Sequence, residues 1–258
     1  MVQWPAESIW EAVAPTLAEF TVEVLPQIDS TNSELMRRAR AGRLEPTLLV
    51  AEQQTAGRGR LGRDWHSQIG ASLTFSLGLS LAPADWSGLS LAVGVSLAES
   101  LHPDVRLKWP NDLWLADRKL AGILIETASF ANPMDNQRYA VIGVGINIAP
   151  RDAAGLATPP AWLQELLPAV SAPQALLQVA APLVRTAQAF ESMGFAPFQA
   201  RFSARDALRD RAVVLSDGTA GTAHGVSEAG ALLVHTASGM KSITSSEVSV
   251  RPAAGGRA

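Results

Sequence analysis

The sequence predicts an α+β protein. A main domain over residues 1–205, with a mixed sheet and flanking helices, precedes a small β-barrel over 208–251 and a flexible tail over 252–258. Strand-like segments cluster instead of alternating strictly with helices, which argues against a doubly wound sheet. Composition shifts near Asp210, after which short runs of Val, Leu, Thr and Ile alternate with Asp-Gly, Glu-Ala-Gly and Ser-Gly turn signals. This second pattern is typical of an all-β unit of about five strands.

Helices of the main domain follow from apolar spacing and end signals. Thr31 and Glu34 fit a capping box and Gly42 fits the first position after a helix, so residues 31–41 are predicted helical. Residues 84–101 carry apolar positions at helical spacing and predict a buried helix. The other predicted elements are a short amphipathic helix in the first 20 residues, strands at 20–28, 46–53 and 70–81, two short strands in 105–115, strands at 117–130 and 138–150, a loop with a short helix at 151–170, and a helical segment at 172–208.

Bulk composition excludes several classes of function. Only 17% of residues are charged and the formal net charge is −3, so no general attraction to nucleic acid is expected. The absence of cysteine excludes disulfides and thiolate metal sites, and the four histidines lack metal-ligand spacing. We find no secretory signal, and Pro83 and Asp85 interrupt the most apolar stretch. The sequence therefore predicts a cytoplasmic protein with no membrane partner.

The segment GRGRLG (57–62) matches the dinucleotide-binding pattern G-x-G-x-x-G. That fingerprint requires a helix directly after the glycines, whereas RDWHSQIG follows Gly62 and is polar and turn-like. Arg58, Arg60 and Arg63 instead favour a flexible loop that becomes ordered when an anionic ligand arrives, because guanidinium groups bind phosphate and carboxylate through paired donors. A solvated surface loop is the alternative.

Three further polar clusters interrupt the apolar pattern: DSTN (29–32), KWPNDL (108–113) and DRKLAGIL (117–124). Activation of a carboxylate by ATP would unite them with the arginine loop. Both reacting groups are negative, so cations must neutralise them and stabilise the charge that develops on phosphorus oxygens. No P-loop G-x-x-x-x-G-K-[ST] occurs, and Mg²⁺ would bridge the phosphates.

The series DSTN, Q-x-A-G-R-G-R-x-G-R-x-W, K-W-P-N-D-L, R-K-L-A-G-I-L-x-E and G-x-G-I-N resembles that of the bacterial biotin–protein ligases over about residues 22–250. The resemblance implies a catalytic domain like that of class II aminoacyl-tRNA synthetases and an SH3-like barrel. It implies synthesis of biotinyl-5′-AMP from biotin and ATP, then transfer to one lysine of the biotin carboxyl carrier protein of acetyl-CoA carboxylase, by a monomer or homodimer. Because DSTN begins at residue 29, no DNA-binding repressor domain is expected.

The resemblance also implies roles for individual residues. Arg58, Lys119 and Asp112 would be catalytic, with the role of Asp112 open between base, metal contact and lysine positioning. No metal site is expected from protein groups alone, since Mg²⁺ would come with ATP. The biotin side would comprise Ser30, Thr31, Asn32, Gln54, Gly57, Arg58, Gly59, Arg60, Lys119 and Gly122, and the ATP side Arg58, Arg60, Trp65, Lys108, Asn111, Lys119 and Asn147.

Two alternatives remain at this stage. A lipoate or octanoate ligase shares the architecture, but its acyl chain has no ureido ring for the polar set Ser30, Thr31 and Gln54. A non-enzymatic biotin sensor or DNA-binding regulator is opposed by the acidic balance of charge.

Overall fold

The computed structural model describes residues 2–129, 136–150, 160–244 and 250–253. Helices are Ala6–Val13 (α1), Thr31–Arg40 (α2), Leu89–Leu101 (α3), Ala172–Met193 (α4) and Ala196–Ser203 (α5). Strands of the main domain are Thr21–Ile28 (β1), Thr47–Gln54 (β2), Ser72–Leu81 (β3), Arg106–Lys108 (β4), Asp112–Leu115 (β5), Arg118–Ser129 (β6) and Arg138–Asn147 (β7). Strands of the C-terminal unit are Ala212–Leu215 (β8), Ala220–Val226 (β9), Leu232–Thr236 (β10), Gly239–Ile243 (β11) and Val250–Pro252 (β12).

The main sheet is mixed. Within the described residues its strand order is β1-β2-β3-β7-β6-β5-β4, with β1 and β2 parallel and every other neighbour antiparallel. Side chains of a strand alternate between faces. Accordingly Leu49 packs in a small cluster with α2, whereas Leu48 and Val50 face the large core that includes α1, α3 and α4. The predicted α+β class with a mixed sheet and flanking helices is confirmed.

The cap of α2 differs from the prediction by one residue. Ser30, not Thr31, is the N-cap, and its Oγ accepts from the backbone N–H of Ser33 at 3.3 Å. Thr31 is unavailable for capping because its hydroxyl donates to Gln54 Oε1, and Glu34 pairs with Arg38 instead of reaching back. Gly42 follows the helix at φ +79°, as predicted.

The helical segment predicted over 172–208 is two helices. Gly194 lies at φ +64°, a backbone conformation that ends α4. Pro197 then lies in the first turn of α5, where its missing N–H costs no hydrogen bond. The helix predicted over 84–101 likewise begins later, at Leu89, after Gly88 at φ +82°.

The C-terminal unit is a five-stranded antiparallel sheet in the order β11-β10-β9-β8-β12, counted over the described residues. Leu232 and Val234 join the main core, and the fully buried Trp109 donates from Nε1 to Gly230 O at 3.0 Å. The predicted small β unit and its docking on the main domain are therefore present.

The boundaries of two predicted irregular segments fall at the edges of the described chain. The sequence predicts a flexible tail over 252–258, but β12 includes Pro252, and Ala253 N–H donates to Ala212 O at 2.8 Å. A proline is tolerated there because β12 is an edge strand. Residues 254–258 of the tail and 151–159 of the predicted loop lie outside the described residues, and the short helix of that loop is a 3₁₀ turn at Leu163–Glu165.

No helix in the described part of the chain is long and apolar enough to cross a membrane.

The connection between the two sheets contains a largely buried carboxylate. Asp206 forms a bridge with Leu107, and its Oδ1 accepts from the backbone N–H of Leu208 at 2.8 Å. Its Oδ2 is buried without a hydrogen-bond partner among the described residues. Burial raises the pKa of Asp206 to about 6, since removal from water disfavours the charged form.

We expect Asp206→Asn to stabilise the protein at pH 8 but not at pH 4. A raised folded-state pKa means that the folded protein favours the protonated carboxyl, so its stability contribution is lost as pH rises from about 4 to about 6. Thermal unfolding at both pH values should show a rise in Tm of about 2–4 °C at pH 8 only. The exposed Asp104→Asn is the control, and an equal shift at both pH values would contradict the assignment.

Candidate active site

A cavity lies between the N-terminus of α2, the face of the main sheet that packs against α2, and the loop that joins β2 to β3. Most of the predicted site residues meet here. Those lining it are Ser30, Thr31, Asn32, Gln54, Arg58, Gly59, Arg60, Trp65, Lys108, Asn111, Asp112, Lys119 and Gly122. Residues that were separated by up to about 90 positions in sequence therefore share one site.

The α2 end of the cavity is a connected polar network. Gln54 Oε1 accepts from both the backbone N–H and the hydroxyl of Thr31, at 2.7 and 3.1 Å. Ser76 Oγ lies 2.7 Å from Thr31 Oγ1 and 2.6 Å from Asn32 Oδ1. Asn32 Nδ2 in turn donates to Leu124 O and Glu126 Oε2. Buried polar groups that satisfy one another in this way keep a fixed geometry.

Two glycines of β7 make room for this arrangement. A Cβ at Gly143 would lie 2.1 Å from Asn32 Oδ1, and one at Gly145 would lie 2.3 Å from Trp65 Cε2. The apolar–glycine steps of this strand thus mark the close approach of another group, as their pattern indicates. Trp65 also reaches Gly122, whose Cβ would lie 3.5 Å from the indole and 3.1 Å from Lys119 Nζ.

The arginine loop is a short hairpin and contains no α-helix. Gly59 N–H donates to Arg63 O at 2.7 Å and Trp65 N–H donates to Gly57 O at 2.9 Å. A single 3₁₀ turn occupies Arg60–Gly62, and the next regular element is β3. The dinucleotide fingerprint therefore lacks its helix, as expected. Gly57 is required by packing, because its Cβ would lie 2.4 Å from Trp65 O.

Cationic groups gather at the other end of the cavity. Asp112 Oδ1 lies 2.7 Å from Lys119 Nζ, and Asp112 Oδ2 lies 3.9 Å from Lys108 Nζ. Burial lowers the pKa of Lys108, and the neighbouring carboxylate of Asp112 opposes that change. Burial also lowers the pKa of Arg60, whose Nη1 donates to Asn111 Oδ1 at 3.2 Å. Desolvated cations around one carboxylate form a site suited to a ligand with several negative charges.

Two predicted site residues do not line the cavity. Asn147 is 1% exposed, and its Nδ2 donates to the carbonyls of Lys119 and Ala161 at 3.1 and 2.9 Å. Among the hydrogen bonds of the described residues, Asn147 is thus connected to the site only by the one to the backbone carbonyl of Lys119. Gly57 is buried at the base of the loop.

Sequence reasoning named neither Ser76 nor Glu126 as a residue of the site. Ser76 supports the polar network, and Glu126 accepts from both Asn32 and Arg58. Gly143 and Gly145, which make room for Asn32 and Trp65, stand in the motif G-x-G-I-N. Glu126 closes the motif R-K-L-A-G-I-L-x-E, so a signal for it was present. No cluster of three or more His, Cys, Asp or Glu side chains suited to a metal ion occurs in the described ranges.

Comparison with known proteins places this site in a family of ligases. Residues 24–147 match the biotin/lipoate A/B protein ligase family, and residues 212–251 match the biotin protein ligase C-terminal domain. The chain is 38% identical over 247 residues to the bifunctional ligase/repressor BirA of Escherichia coli, covering 90% of this chain and 75% of that protein. The chain belongs to the biotin protein ligase family.

Two further relatives match over nearly their whole length. The biotin–[acetyl-CoA-carboxylase] ligase of Paracoccus denitrificans is 32% identical, with 87% of this chain and 98% of that protein covered. The biotin protein ligase of Aquifex aeolicus, solved in complex with biotin and ATP, superposes with a TM-score of 0.75 at 31% identity, covering 90% of this chain and 99% of that one.

We expect Gly143→Ala to destabilise the protein by about 1–3 kcal/mol, as overpacking of a close contact does. The new methyl group would have to displace Asn32 from its hydrogen bonds, and equilibrium unfolding in urea measures the loss. Gly94→Ala in α3 is the matched control, because its Cβ meets only the ends of Leu107 and Ile123, at 3.2 and 3.7 Å. Equal effects of the two substitutions would contradict the role of Gly143.

Proposed function

We propose that this chain is an ATP-dependent biotin protein ligase. It joins biotin and ATP to form biotinyl-5′-AMP and pyrophosphate, then transfers biotin to a lysine of the biotin carboxyl carrier protein of acetyl-CoA carboxylase. The observation that carries the proposal is the meeting, in one cavity, of the polar network at α2 with the cations Arg60, Lys108 and Lys119. One end suits a neutral polar ring, and the other suits a carboxylate beside phosphates.

At the network end, hydroxyl and amide groups hold the ureido ring of biotin. Ser30 Oγ already accepts from Ser33 N–H, which leaves its hydroxyl hydrogen to donate to a ligand. The backbone N–H and the hydroxyl of Thr31 both donate to the carboxamide oxygen of Gln54. The NH₂ group of Gln54 therefore points toward Gly57 and the loop. Both amide hydrogens of Asn32 are used by Leu124 and Glu126, so Asn32 shapes the pocket through these bonds.

At the cationic end, Lys119 neutralises the biotin carboxylate and the α-phosphate as they approach. Asp112 positions the ammonium group through the 2.7 Å contact with Lys119 Nζ. Arg60 lies at this end beside Asn111, and Arg58 is held beside the network by Glu126. These two loop cations stabilise the charge that grows on the phosphorus oxygens, and such fixed cations lower the barrier because they need no reorganisation. The acyl-adenylate then forms with pyrophosphate as the leaving group.

The ATP side comprises Trp65, Lys108 and Asn111, with Trp65 stacking on adenine. Asn147 acts on this side indirectly, through the carbonyl of Lys119. Mg²⁺ would be held chiefly by the phosphates of ATP, as is usual for this ion. Asp112 lines the cavity, and its carboxylate would be the protein's contact to this ion. The ion would neutralise part of the phosphate charge.

The finer architecture belongs to the same proposal. Residues 1–205 form a catalytic domain like that of class II aminoacyl-tRNA synthetases, and residues 208–251 form an SH3-like barrel. The five-stranded antiparallel sheet of short strands supports the second assignment. A cytoplasmic location follows from the proposed use of ATP and of a carrier domain of acetyl-CoA carboxylase.

Pyrophosphate exchange into ATP tests the first half-reaction directly. Biotin, lipoate and octanoate are offered separately to the purified protein. We expect exchange with biotin and at least about tenfold less with either alternative, because unpaired polar groups of the pocket penalise a chain without a ureido ring. Exchange with lipoate but not biotin would reassign the protein as a lipoate ligase.

We expect Lys119→Ala to lower the rate of biotin-dependent pyrophosphate exchange about 10²–10³-fold, the usual cost of removing one group that stabilises developing charge. The change in melting temperature should be small because the Lys119 side chain is 42% exposed. Lys241→Ala, at an exposed lysine of β11, is the matched control. A Lys119→Ala protein with normal exchange would rule out the proposed role.

A further inference from the structure

Glu126 contacts two different elements of the site at once. Its Oε2 accepts from Asn32 Nδ2 at 3.0 Å and forms an ion pair with Arg58 Nη2. Asn32 belongs to the polar network at α2, and Arg58 belongs to the arginine loop. A single carboxylate on β6 thus joins the wall of the cavity to the segment that covers it.

These contacts complete a circuit that returns to the loop. From Asn32 the polar contacts continue through the hydroxyl groups of Ser76 and Thr31 to Gln54. Gln54 directly precedes the loop, and its backbone exchanges two hydrogen bonds with the Ser67 hydroxyl, at 2.7 and 3.1 Å. The base of the loop and its covering part are therefore both connected to the same buried network.

Electrostatics explain why a carboxylate is needed at this position. Arg58, Arg60 and Arg63 lie within six residues, and like charges repel one another. Arg60 donates to Asn111 Oδ1 and lies close enough to Asp112 for that carboxylate to favour its charged form, whereas Arg58 is paired with Glu126. The Arg58 and Glu126 side chains are 46% and 26% exposed, so salt can screen this ion pair.

We propose that Glu126 is a positioning residue that holds the arginine loop closed over the cavity through Arg58, and that links closure to the pocket through Asn32. The consequence for the reaction rests on the proposed function. A loop held in this way retains the acyl-adenylate until the acceptor lysine arrives. Glu126 itself contacts no reacting atom.

The closure of the loop is tested without any ligand by limited trypsin digestion, since trypsin cleaves after the loop's own arginines. We compare the wild type, Glu126→Gln and Glu99→Gln. The last removes an ion pair with Arg201 between α3 and α5 and is the matched control. We expect cleavage after Arg58, Arg60 and Arg63, mapped by mass spectrometry, to be about fivefold faster in Glu126→Gln alone, as loss of a half-exposed ion pair allows.

A second measurement is the salt dependence of cleavage in the wild type, which can be read even if the variant fails to fold. Raising the salt concentration from 0.05 to about 1 M shortens the Debye length to about 3 Å. We expect cleavage within the loop to rise relative to a reference peptide substrate, and to change little in a folded Glu126→Gln protein. A role in packing alone would not produce this salt dependence.

The catalytic readout is the rate at which radiolabelled biotinyl-5′-AMP leaves the protein in gel filtration. We expect Glu126→Gln to release the adenylate about fivefold faster and to raise the KM for biotin, two changes that Glu99→Gln should not produce. If Glu126→Gln is cleaved faster but the wild type performs no biotin-dependent exchange, the loop contact stands and the ligase function is refuted. Cleavage and release equal to those of Glu99→Gln in a protein that exchanges normally would overturn the role of Glu126.

Discussion

The absence of side chains at two positions of β7 is the constraint on which the site depends. At Gly143 and Gly145 the backbone of the sheet is bare, and Asn32 and Trp65 lie against it. Asn32 lies in the first turn of α2, so its contact with Gly143 positions the N-terminus of that helix. Trp65, through its contact with Gly145, positions the end of the arginine loop. Both groups line the cavity, together with residues of β6 and of the arginine loop.

Much of the fold followed from local patterns, because the side chains of α2, α3 and the strands bury apolar groups at regular spacing. One error came where a long-range contact overrode a local signal. Thr31 matches a helix cap by type, but its hydroxyl donates to Gln54, which is 23 residues away. The other error overlooked a local signal, because Gly194 takes a positive φ that ends α4 within the segment predicted helical over 172–208.

The candidate site divides in the same way. Clusters of unusual polar residues identified Lys119, Asp112 and Arg60 as candidates, because residue type alone shows that a side chain is charged. Ser76 and Glu126 looked like ordinary residues of β3 and β6. The alternation of side chains along a strand tells which face of the sheet a side chain is on, but not which group it contacts there. Their roles arise from the pairing of β3 and β6 with β7, which places them beside α2.

The hydrogen bond from Trp109 to Gly230 links the site to the order in which the chain is synthesised. Trp109 lies between Lys108 and Asn111 and is fully buried, yet its partner comes 121 residues later. Domains emerge from the ribosome N-terminal end first. The cationic end of the cavity therefore gains its final support only after the C-terminal sheet has been made, so a partly synthesised chain should lack a finished site for a reactive adenylate.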